Sequence, residues 1–353
     1  MKRIALRLVP TLAAVVLVSG CAGNARHGAA RGERVVLSDG WLSMGTFFEA
    51  DLRVKPSEIP VAKTWLAWAR VELVRLEAVY SRHDSESQLS VLNRILAQPA
   101  ALEQGAAIGP ALEAVLGESL EVWQATGGAF DVTVGPLVEV WRRAGEKGEW
   151  PTVDSLRKAK GRVGSERLKL LGDGRLGVTA KRVRIDLDGI SKGAALDHLG
   201  DALALVLPDT PALLSFGQSS TLAIGDPDGG GGWVLAVKSS DPDVGELATL
   251  RLRDRAVSVS SSLGSYREIA GQKVSHIIDP RTGATIEGTV EAVVIGDRAT
   301  RADGWDTGLL VLGAKRSTIR LVEKAGLAAY LFDSSGRTVS SESWESYLAE
   351  SAP

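Results

Sequence analysis

The sequence predicts an α+β fold, in which mixed or antiparallel sheets pack with helices in a single compact unit. Apolar residues recur at helical spacing in two long segments, and short strand-like runs follow them in no regular order. A regular alternation of strands and helices would instead indicate a doubly wound parallel sheet. No linker divides the chain beyond residue 40, so we expect one domain at residues 40–353.

The residues before this domain are predicted to direct the chain to a membrane. A basic start, MKR, precedes the apolar stretch Val9 to Gly20, which is too short to span a bilayer comfortably. The sequence VSGC then ends at Cys21 and is similar to a bacterial lipobox. We expect residues 1–21 to be a lipoprotein signal peptide and residues 22–39 to be a flexible tether. Cys21 would carry the lipid anchor in an extracytoplasmic, periplasmic location; an ordinary cleaved secretory signal is the alternative.

Two long helices are predicted first within the domain. Ile59 to Tyr80 begins with a proline suited to the first turn, and its apolar residues recur every three or four positions. Pro110 to Ala125 repeats this pattern and stops at the sequence TGG. Such apolar stripes are typical of helices that pack on a core, and we assign them no other role.

The remaining predicted elements are shorter. Strands are expected at Arg182 to Leu187, Leu222 to Gly225, Trp233 to Val237 and Ala292 to Gly296, and helices at Lys192 to Leu207 and Arg301 to Leu312. The run DPDGGGG between the second and third strands suits a hairpin loop, because glycine tolerates positive φ. It lacks the Lys-Ser/Thr pair of a phosphate-binding P-loop.

Charge and cysteine content exclude several classes of partner. The formal net charge is −2 over 353 residues, and no basic stretch with interspersed aromatic residues is present, so we expect no nucleic-acid partner. Cys21 is the only cysteine, which excludes an internal disulfide or a Cys-based metal site. Four histidines, one of them in the tether, argue against a His-rich zinc site.

The motif IDLDGISKG lies where a strand is predicted to end and a helix to begin. We expect Ser191 to cap this helix and Lys192 to lie in its first turn. Free N–H groups at a helix start attract anions, and an adjacent lysine adds a positive charge. A capped surface helix without a ligand is the alternative.

The motif RADGWDTGLL has a different character. Asp303 and Thr307 are four residues apart, and Asp306 is one turn from Asp303, so these side chains share one face of a helix. Carboxylate, hydroxyl and carbonyl oxygens form a hard ligand set that suits Mg²⁺. A solvated helix face is the alternative.

Two further segments carry polar residues next to turns. In TGGAFDVTVGPL, Asp131 lies where apolar alternation begins, and it could cap the backbone or bind a ligand hydroxyl. In HIIDPRTGAT, His276 precedes an Asp-Pro turn that could present its imidazole as a base.

These motifs, with MGT at Met44–Thr46 and SRHDSESQLSVLN at Ser81–Asn93, occur in an order that resembles the FAD:protein FMN transferase (ApbE) family of flavin-trafficking lipoproteins. The resemblance runs from about residue 41 to about residue 315, and HIIDP-x-TG and D-x-x-x-T are its most specific elements. It implies a Mg²⁺-dependent enzyme that splits the FAD pyrophosphate. FMN would pass to a threonine in a D-x-x-[ST]-G-A-T-like motif of a partner protein, and AMP would leave.

The resemblance also implies roles for particular residues. FAD would be contacted by Met44, His83, Ala129, Phe130, Asp131, Asp186, Lys192 and Ile277. Mg²⁺ would be held by the Gly189 carbonyl together with Asp303, Asp306 and Thr307. His276 would take the proton from the incoming threonine, and Lys192 would neutralise phosphoryl charge.

The sequence departs from the family pattern at several positions. Ser215 to Ser219 reads SFGQS where the family commonly has N-x-G-G-[DN], and Ser262 to Tyr266 keeps only the Gly and Tyr of T-S-G-x-Y. His83 stands in place of the usual aromatic residue, and Asp306 in place of a small residue that contributes only its carbonyl. An FAD pyrophosphatase and a flavin-binding lipoprotein without catalysis are therefore alternatives to the transferase.

One departure creates a second hypothesis. The family loop usually continues T-G-x-P, and here Thr285 takes the proline position, so that DPRTGAT spells the acceptor motif itself. Either the match is a coincidence in a loop that must stay folded, or the chain attaches FMN to its own Thr285.

Overall fold

The structure is a computed structural model that describes residues 34–180, 182–217, 219–240, 244–262 and 264–349. The strands of these residues are β1 (Val35–Ser43), β2 (Thr46–Val54), β3 (Ala106–Ala107), β4 (Leu168–Leu170), β5 (Arg175–Val178), β6 (Ala212–Phe216), β7 (Ser220–Ile224), β8 (Trp233–Lys238), β9 (Glu246–Leu252), β10 (Arg255–Ser261), β11 (Tyr266–Ile269), β12 (Gln272–Ser275), β13 (Thr289–Gly296), β14 (Ala328–Asp333) and β15 (Thr338–Ser340). The helices are α1 (Ile59–Tyr80), α2 (Gln88–Leu96), α3 (Ala101–Gln104), α4 (Pro110–Ala125), α5 (Gly135–Lys147), α6 (Val153–Lys160), α7 (Ser191–Val206), α8 (Ala299–Leu312) and α9 (Arg316–Lys324).

An eight-stranded sheet organises the chain, in the order β1-β2-β6-β7-β10-β13-β14-β15, and its neighbouring strands are antiparallel. The main hydrophobic core lies on one face, where α1, α4, α7 and α8 pack. The β8–β9 hairpin covers part of the other face through a second cluster that includes Trp233 and Trp344. Helices packed on an antiparallel sheet confirm the predicted α+β fold.

The two long helices form where the sequence predicts them. α1 and α4 have the predicted boundaries, and each has a proline at its start. Leu73 and Leu76 of α1 and Leu116 of α4 are fully buried, at 0% exposure. Burying each of these side chains stabilises the fold by about 1.5–3 kcal/mol, so packing rather than intrinsic helix propensity fixes the two helices. Within the described residues, no helix is long and apolar enough to cross a membrane.

A third apolar cluster stands apart from the main core. It joins α5 and α6 to the β11–β12 hairpin and to the loop that follows β12, and it includes Leu137, Trp141 and Ile278. Trp141 Nε1 donates a hydrogen bond to the Gly283 carbonyl at 2.9 Å, which ties that loop to α5. This cluster therefore fixes the position of the HIIDPRTGAT segment.

The predicted tether is wrong for its last residues. β1 starts at Val35, and its pairing with β2 continues through Ser38↔Asp51 to Ser43↔Thr46. Ser38 Oγ also donates a hydrogen bond to Asp51 at 3.0 Å, so this segment is an ordered sheet edge. The signal peptide, Cys21 and tether residues 22–33 lie outside the described residues.

The strand predicted at Arg182 to Leu187 is also wrong. The Asn93 side-chain amide occupies both backbone groups of Ile185, accepting from its N–H at 2.7 Å and donating to its carbonyl at 2.9 Å. The Asp186 N–H donates to the Val132 carbonyl instead of to a neighbouring strand. Because a side chain replaces the strand partner, alternation alone misassigned this segment.

The predicted hairpin through DPDGGGG is wrong as well. β7 pairs with β6 and β10, whereas β8 pairs with β9 in a separate sheet. The Asp226 carboxylate accepts hydrogen bonds from the N–H groups of Asp228, Gly229 and Gly231, which folds the run into a connection between the two sheets. The glycines provide a turn as expected, but the turn changes sheet.

Candidate active site

A central cavity of about 560 Å³ opens between the third cluster, the large sheet, the start of α7 and the middle of α8. Its lining brings together ten of the residues selected from the sequence: Ala129, Phe130, Asp131, Asp186, Gly189, Lys192, His276, Ile277, Asp303 and Thr307. Motifs that are far apart in the chain therefore meet in one place.

α7 begins beside this cavity, and its first turn lies in close contact with the start of α8. A Cβ atom at Gly193 would lie 2.2 Å from the Ala299 carbonyl oxygen, so only glycine permits this approach. The prediction that Ser191 caps α7 is wrong, because Ser191 lies inside the first turn and no side chain at the N-cap position accepts a bond. Instead, the Asp303 carboxylate of α8 accepts the hydrogen bond from the Gly193 N–H at 2.9 Å.

Asp306 lies one turn further along α8 and is fully buried. Its Oδ1 atom accepts hydrogen bonds from Ser260 Oγ at 2.8 Å and from Thr307 Oγ1 at 3.2 Å. Its Oδ2 atom is buried without a hydrogen-bond partner among the described residues. Burial raises the pKa of this carboxyl well above its usual value, and the charge of Asp303 raises it further. Asp303 and Asp306 form an acidic pair with one unpartnered oxygen.

The residues predicted to hold Mg²⁺ lie close together. Thr307 Oγ1 lies 3.2 Å from the position that a Cβ atom would take at Gly189, so the turn before α7 contacts α8. In the part of the chain that the structure describes, no group of three or more His, Cys, Asp or Glu side chains is arranged to hold a metal. A cation here would be bound by two carboxylates with hydroxyl and carbonyl oxygens, a set that suits Mg²⁺. The unpartnered Asp306 oxygen fits this set.

His276 lies on the cavity wall with one ring nitrogen fixed. Its Nδ1 atom is 2.7 Å from the Ser265 carbonyl oxygen, and because a carbonyl can only accept, Nδ1 carries the proton. Burial lowers the pKa of His276, and the charges of Arg267 and Lys192 lower it further, against the opposing effect of the Ser265 bond. The imidazole is therefore neutral at pH 7, and Nε2 can accept a proton.

Cationic side chains face the same cavity. Lys192 lies in the first turn of α7 and has no ion-pair partner among the described residues. Arg267 on β11 has its Nη1 atom buried without a hydrogen-bond partner in the described chain. Burial lowers the pKa of Arg267, and the charges of Arg82 and Arg142 lower it further. An uncompensated guanidinium beside a lysine makes the cavity a site for an anion.

Asp186 is held by an arginine that the sequence analysis missed. Arg82 Nε lies 3.1 Å from Asp186 Oδ2 and 2.5 Å from Asp188 Oδ2. Burial and the Asp188 charge raise the pKa of Asp186 to about 6, and Arg82 opposes the rise. Arg82 lies within the motif SRHDSESQLSVLN, and Arg267 follows Tyr266, which the family pattern retains. These positions are the only sequence signal that could have found the two arginines.

Asp131 adopts the capping role that the sequence left open. Its Oδ1 atom accepts from the Thr133 N–H at 2.8 Å and from Ser165 Oγ at 2.7 Å, and its Oδ2 atom accepts from the Ser165 N–H at 3.0 Å. Both oxygens are therefore occupied by protein donors, although the residue borders the cavity. Ala129 and Phe130, which precede it, contribute apolar surface.

Met44 and His83 are not among the residues that line the central cavity, and their contact with FAD stays a prediction. Met44 lies in the β1–β2 turn with φ +48°, and its N–H donates to Glu77, so the side chain packs on the core while Thr46 reaches the cavity. His83 has 71% of its side chain exposed and faces a neighbouring cavity, whereas Arg82 lines both.

The loop that contains Thr285 folds back on the residues that follow His276. The Asp279 N–H donates to the Ala284 carbonyl at 2.8 Å, and Ile278 forms a β-bridge with Thr285. Thr285 lines a different cavity, which it shares with Asp279. The acceptor-like string is therefore held in a closed turn, whose threonine is absent from the lining of the central cavity.

The two segments that depart from the family pattern border the cavity. Ser219 and Gly264 line it, and the Ser219 carbonyl accepts a hydrogen bond from the Val259 N–H at 2.7 Å. Gln218 and Leu263, one residue of each segment, lie outside the described residues. The altered segments therefore lie next to the candidate active site.

Comparison with known proteins gives a consistent result. The model of the ApbE family matches residues 44–331. A curated protein named FAD:protein FMN transferase from Salmonella typhimurium strain LT2 is 32% identical, over 53% of this chain and 54% of that protein. One of the same name from Escherichia coli strain K12 is 30% identical, over 56% of this chain and 58% of that protein. The chain thus aligns with about half the length of the curated relatives it matches.

Solved structures share the fold. A structure titled as the flavin transferase ApbE from Vibrio cholerae is 24% identical with a TM-score of 0.73, covering 90% of this chain and 99% of that one. The apo form of the Pseudomonas stutzeri flavinyl transferase ApbE is 23% identical with a TM-score of 0.76, covering 92% and 100%. These likenesses support the fold, and the family model extends over most of the sequence; the chain belongs to the ApbE family.

Proposed function

We propose that this chain is a Mg²⁺-dependent FAD:protein FMN transferase, which cleaves FAD, attaches FMN through a phosphoester to a threonine of a target protein and releases AMP. The observation that carries the proposal is His276, whose Nε2 atom can accept a proton in a cavity that is also lined by Lys192, Arg267 and Asp303. Membership of the ApbE family and the names of the curated relatives support it.

The chemical step uses His276 as a base. A threonine hydroxyl is a weak nucleophile near neutral pH, and a positioned imidazole accelerates such a step about 10²–10⁴-fold. Nε2 takes the hydroxyl proton while the threonine oxygen attacks the phosphorus of the FMN half of FAD. The bond from that phosphorus to the bridging oxygen breaks, and AMP leaves with the oxygen.

The remaining groups orient the substrate and balance its charge. Lys192 and Arg267 neutralise phosphoryl charge, which otherwise opposes attack by the threonine oxygen. Phe130 and Ile277 offer apolar contact to the flavin. The Gly189 carbonyl with Asp303, Asp306 and Thr307 would hold Mg²⁺, and the bound ion supplies further charge neutralisation.

We also propose that the protein acts at a bacterial membrane outside the cytoplasm, anchored through a lipid on Cys21. The lipobox-like sequence VSGC supports this location. A Cys21→Ser variant should move from the membrane fraction to the soluble fraction after cell lysis. Retention of the variant in the membrane fraction would argue against lipid anchoring.

The test of the activity is incubation with FAD, Mg²⁺ and an acceptor protein that carries a D-x-x-[ST]-G-A-T motif, followed by in-gel flavin fluorescence and AMP measurement. We expect a fluorescent acceptor band and equal amounts of AMP. A His276→Ala variant should lose transfer, whereas His198→Ala, a change on α7 beside Glu72, should retain it. Because burial lowers the pKa of His276 from its usual value, the rate should rise with pH through that lowered pKa and be constant near neutrality.

Other outcomes identify the alternatives. AMP release without a labelled acceptor would indicate an FAD pyrophosphatase, and FAD binding without AMP release would indicate a flavin-binding lipoprotein. The intact mass of the chain after the same incubation should lack an FMN adduct, because Thr285 is held in a closed turn and does not line the central cavity. An adduct on Thr285 would establish self-flavinylation.

A further inference from the structure

A second cavity of about 740 Å³ adjoins the central one and is lined by basic side chains. We call it the basic cavity; besides Arg82, its cationic residues are Arg94, Arg143, Lys158, Arg162, Arg182 and Arg184. α5 forms the wall between the two cavities, with Val138 facing the central cavity and Glu139 facing the basic one. Arg82 belongs to both linings, so the two cavities meet at this side chain.

The charge of the basic cavity is not balanced locally. Among the described residues that line it, Glu139 is the only acidic one, and it already pairs with Arg142 and Arg143. The chain as a whole has a net charge of −2, so a concave surface with this excess of cations is a local feature and not a consequence of composition. A concave surface with one sign of charge concentrates ligands of the opposite sign.

Several of these cations have no carboxylate partner. Within the described residues, Arg94, Arg162, Arg182 and Arg184 form no ion pair, and Arg94 donates instead to the Ser85 carbonyl. Lys158 pairs with Asp154 at 2.6 Å, but 70% of its side chain stays exposed. The guanidinium groups are therefore available to an external anion, and arginine binds carboxylates in a bidentate geometry.

We propose that the basic cavity binds acidic side chains of the acceptor polypeptide, close to the threonine that receives FMN. This inference rests on the proposed transferase function. A polypeptide whose threonine reaches His276 in the central cavity can continue past Arg82 into the basic cavity, because the two linings share that residue. The surface is concave, which suits projecting Asp and Glu side chains better than the flat surface of a bilayer.

The test compares two fluorescein-labelled peptides that share one D-x-x-T-G-A-T core, flanked by glutamates in one and by glutamines in the other. Fluorescence anisotropy measures their binding to the full chain without FAD. We expect the glutamate peptide to bind about tenfold more tightly at low ionic strength, and the advantage to shrink as salt is added. A double variant, Arg143→Glu with Arg162→Glu, should abolish the preference.

A matched control carries the same change of charge elsewhere. The double variant Arg320→Glu with Lys324→Glu, on α9 and outside both linings, should keep the preference. FAD affinity, measured by flavin fluorescence, should be unchanged in both double variants. A basic-cavity variant that loses FAD affinity together with the preference would assign the cavity to the nucleotide and overturn the inference.

Two further results would also overturn it. One is equal binding of the two peptides to the unmodified chain. The other is binding of phosphatidylglycerol vesicles that the basic-cavity variant loses while peptide binding is unchanged, which would identify a lipid surface. Absence of FMN transfer to either peptide would contradict the proposed function, and the anisotropy comparison would still decide whether the cavity selects acidic polypeptide.

Discussion

The starts of α7 and α8 use the same device with opposite electrostatic results. Each helix lacks a side-chain cap of its own, and each is capped by an aspartate of the other. Asp197 of α7 accepts from the N–H groups of Ala299 and Thr300 at 2.8 and 2.9 Å. Asp303 of α8 accepts from the Gly193 N–H at 2.9 Å. The helices are thus locked together by reciprocal bonds to their N-termini.

The difference lies in what surrounds each carboxylate. Asp197 has a counter-ion, Arg298, with Nε at 3.3 Å. Asp303 has a second carboxylate, Asp306, as its neighbour, and that side chain has an unpartnered buried oxygen within the described structure. Burial raises the pKa of both Asp197 and Asp306; Thr300 and Arg298 oppose the rise at Asp197, whereas Asp303 adds to it at Asp306. The charge of Asp197 is therefore balanced within the protein. The site of Asp303 and Asp306 retains negative charge that a cation can neutralise.

The largest expected effect is the loss of activity when the Asp303 carboxylate is removed. Asp303→Ala should reduce Mg²⁺-dependent FMN transfer by about 10²–10³-fold, because an electrostatic group of the site is lost. Asp303→Asn can still accept from the Gly193 N–H, so it should lose activity with little change in stability. Transfer assays over a Mg²⁺ titration, with urea denaturation of both variants, measure this. Unchanged turnover in Asp303→Ala would refute the metal assignment.

Substitution of Asp197, which caps α8, should affect stability rather than chemistry. Asp197→Ala removes the acceptor of two backbone N–H groups and of the Thr300 hydroxyl, and it leaves these donors buried. We expect the free energy of unfolding to fall by about 3 kcal/mol, with activity per folded molecule largely retained. Asp197→Asn keeps one acceptor and should lose less. Urea denaturation measures the change, and a selective loss of turnover would show that this aspartate also serves the reaction.

A smaller effect, of opposite sign, is expected at the unpartnered oxygen. Without Mg²⁺, Asp306→Ala should raise the free energy of unfolding by about 1 kcal/mol, because it removes a buried carboxylate that lacks full hydrogen bonding. With Mg²⁺, the unmodified chain should gain more stability than the variant, since binding to the native state stabilises it. Urea denaturation with and without Mg²⁺ checks both statements. Equal Mg²⁺ stabilisation of the two proteins would exclude the Asp306 carboxylate from the cation site.

The sequence predicted the long helices and the grouping of the motifs, because periodic apolar residues and local polar clusters report directly on elements. It could not predict that Asn93 replaces a strand partner at Ile185, since that contact joins segments that are distant in the chain. The same limit applies to the reciprocal caps. Ser191 fits the local pattern of an N-cap, but Asp303 takes that role across the helix contact that Gly193 permits.

Site residues were predicted where a motif fixes them and missed where only packing does. His276 and Lys192 lie in the cavity as the motifs indicate, and family resemblance supplied their roles. Arg267 enters the cavity from the β11–β12 hairpin, whose position depends on the third apolar cluster, and no spacing rule reveals this. His83 was selected from a motif, yet its neighbour Arg82 is the residue that pairs with Asp186, and His83 is exposed.

The smallest effect tests whether Arg298, the counter-ion of Asp197, must itself be held in place by Asp201. Arg298 Nη1 donates to the exposed Asp201 carboxylate at 2.7 Å, and this pair orients the guanidinium that faces Asp197. Asp201→Ala should lower the free energy of unfolding by about 0.5 kcal/mol, as expected for an exposed ion pair, and the loss should vanish at high salt. Thermal and urea unfolding at two salt concentrations measure it. A loss as large as that of Asp197→Ala would mean that Asp201 and Arg298 hold the capping aspartate in place. The ion pairs of Arg298, and not hydrogen bonding alone, would then stabilise the start of α8.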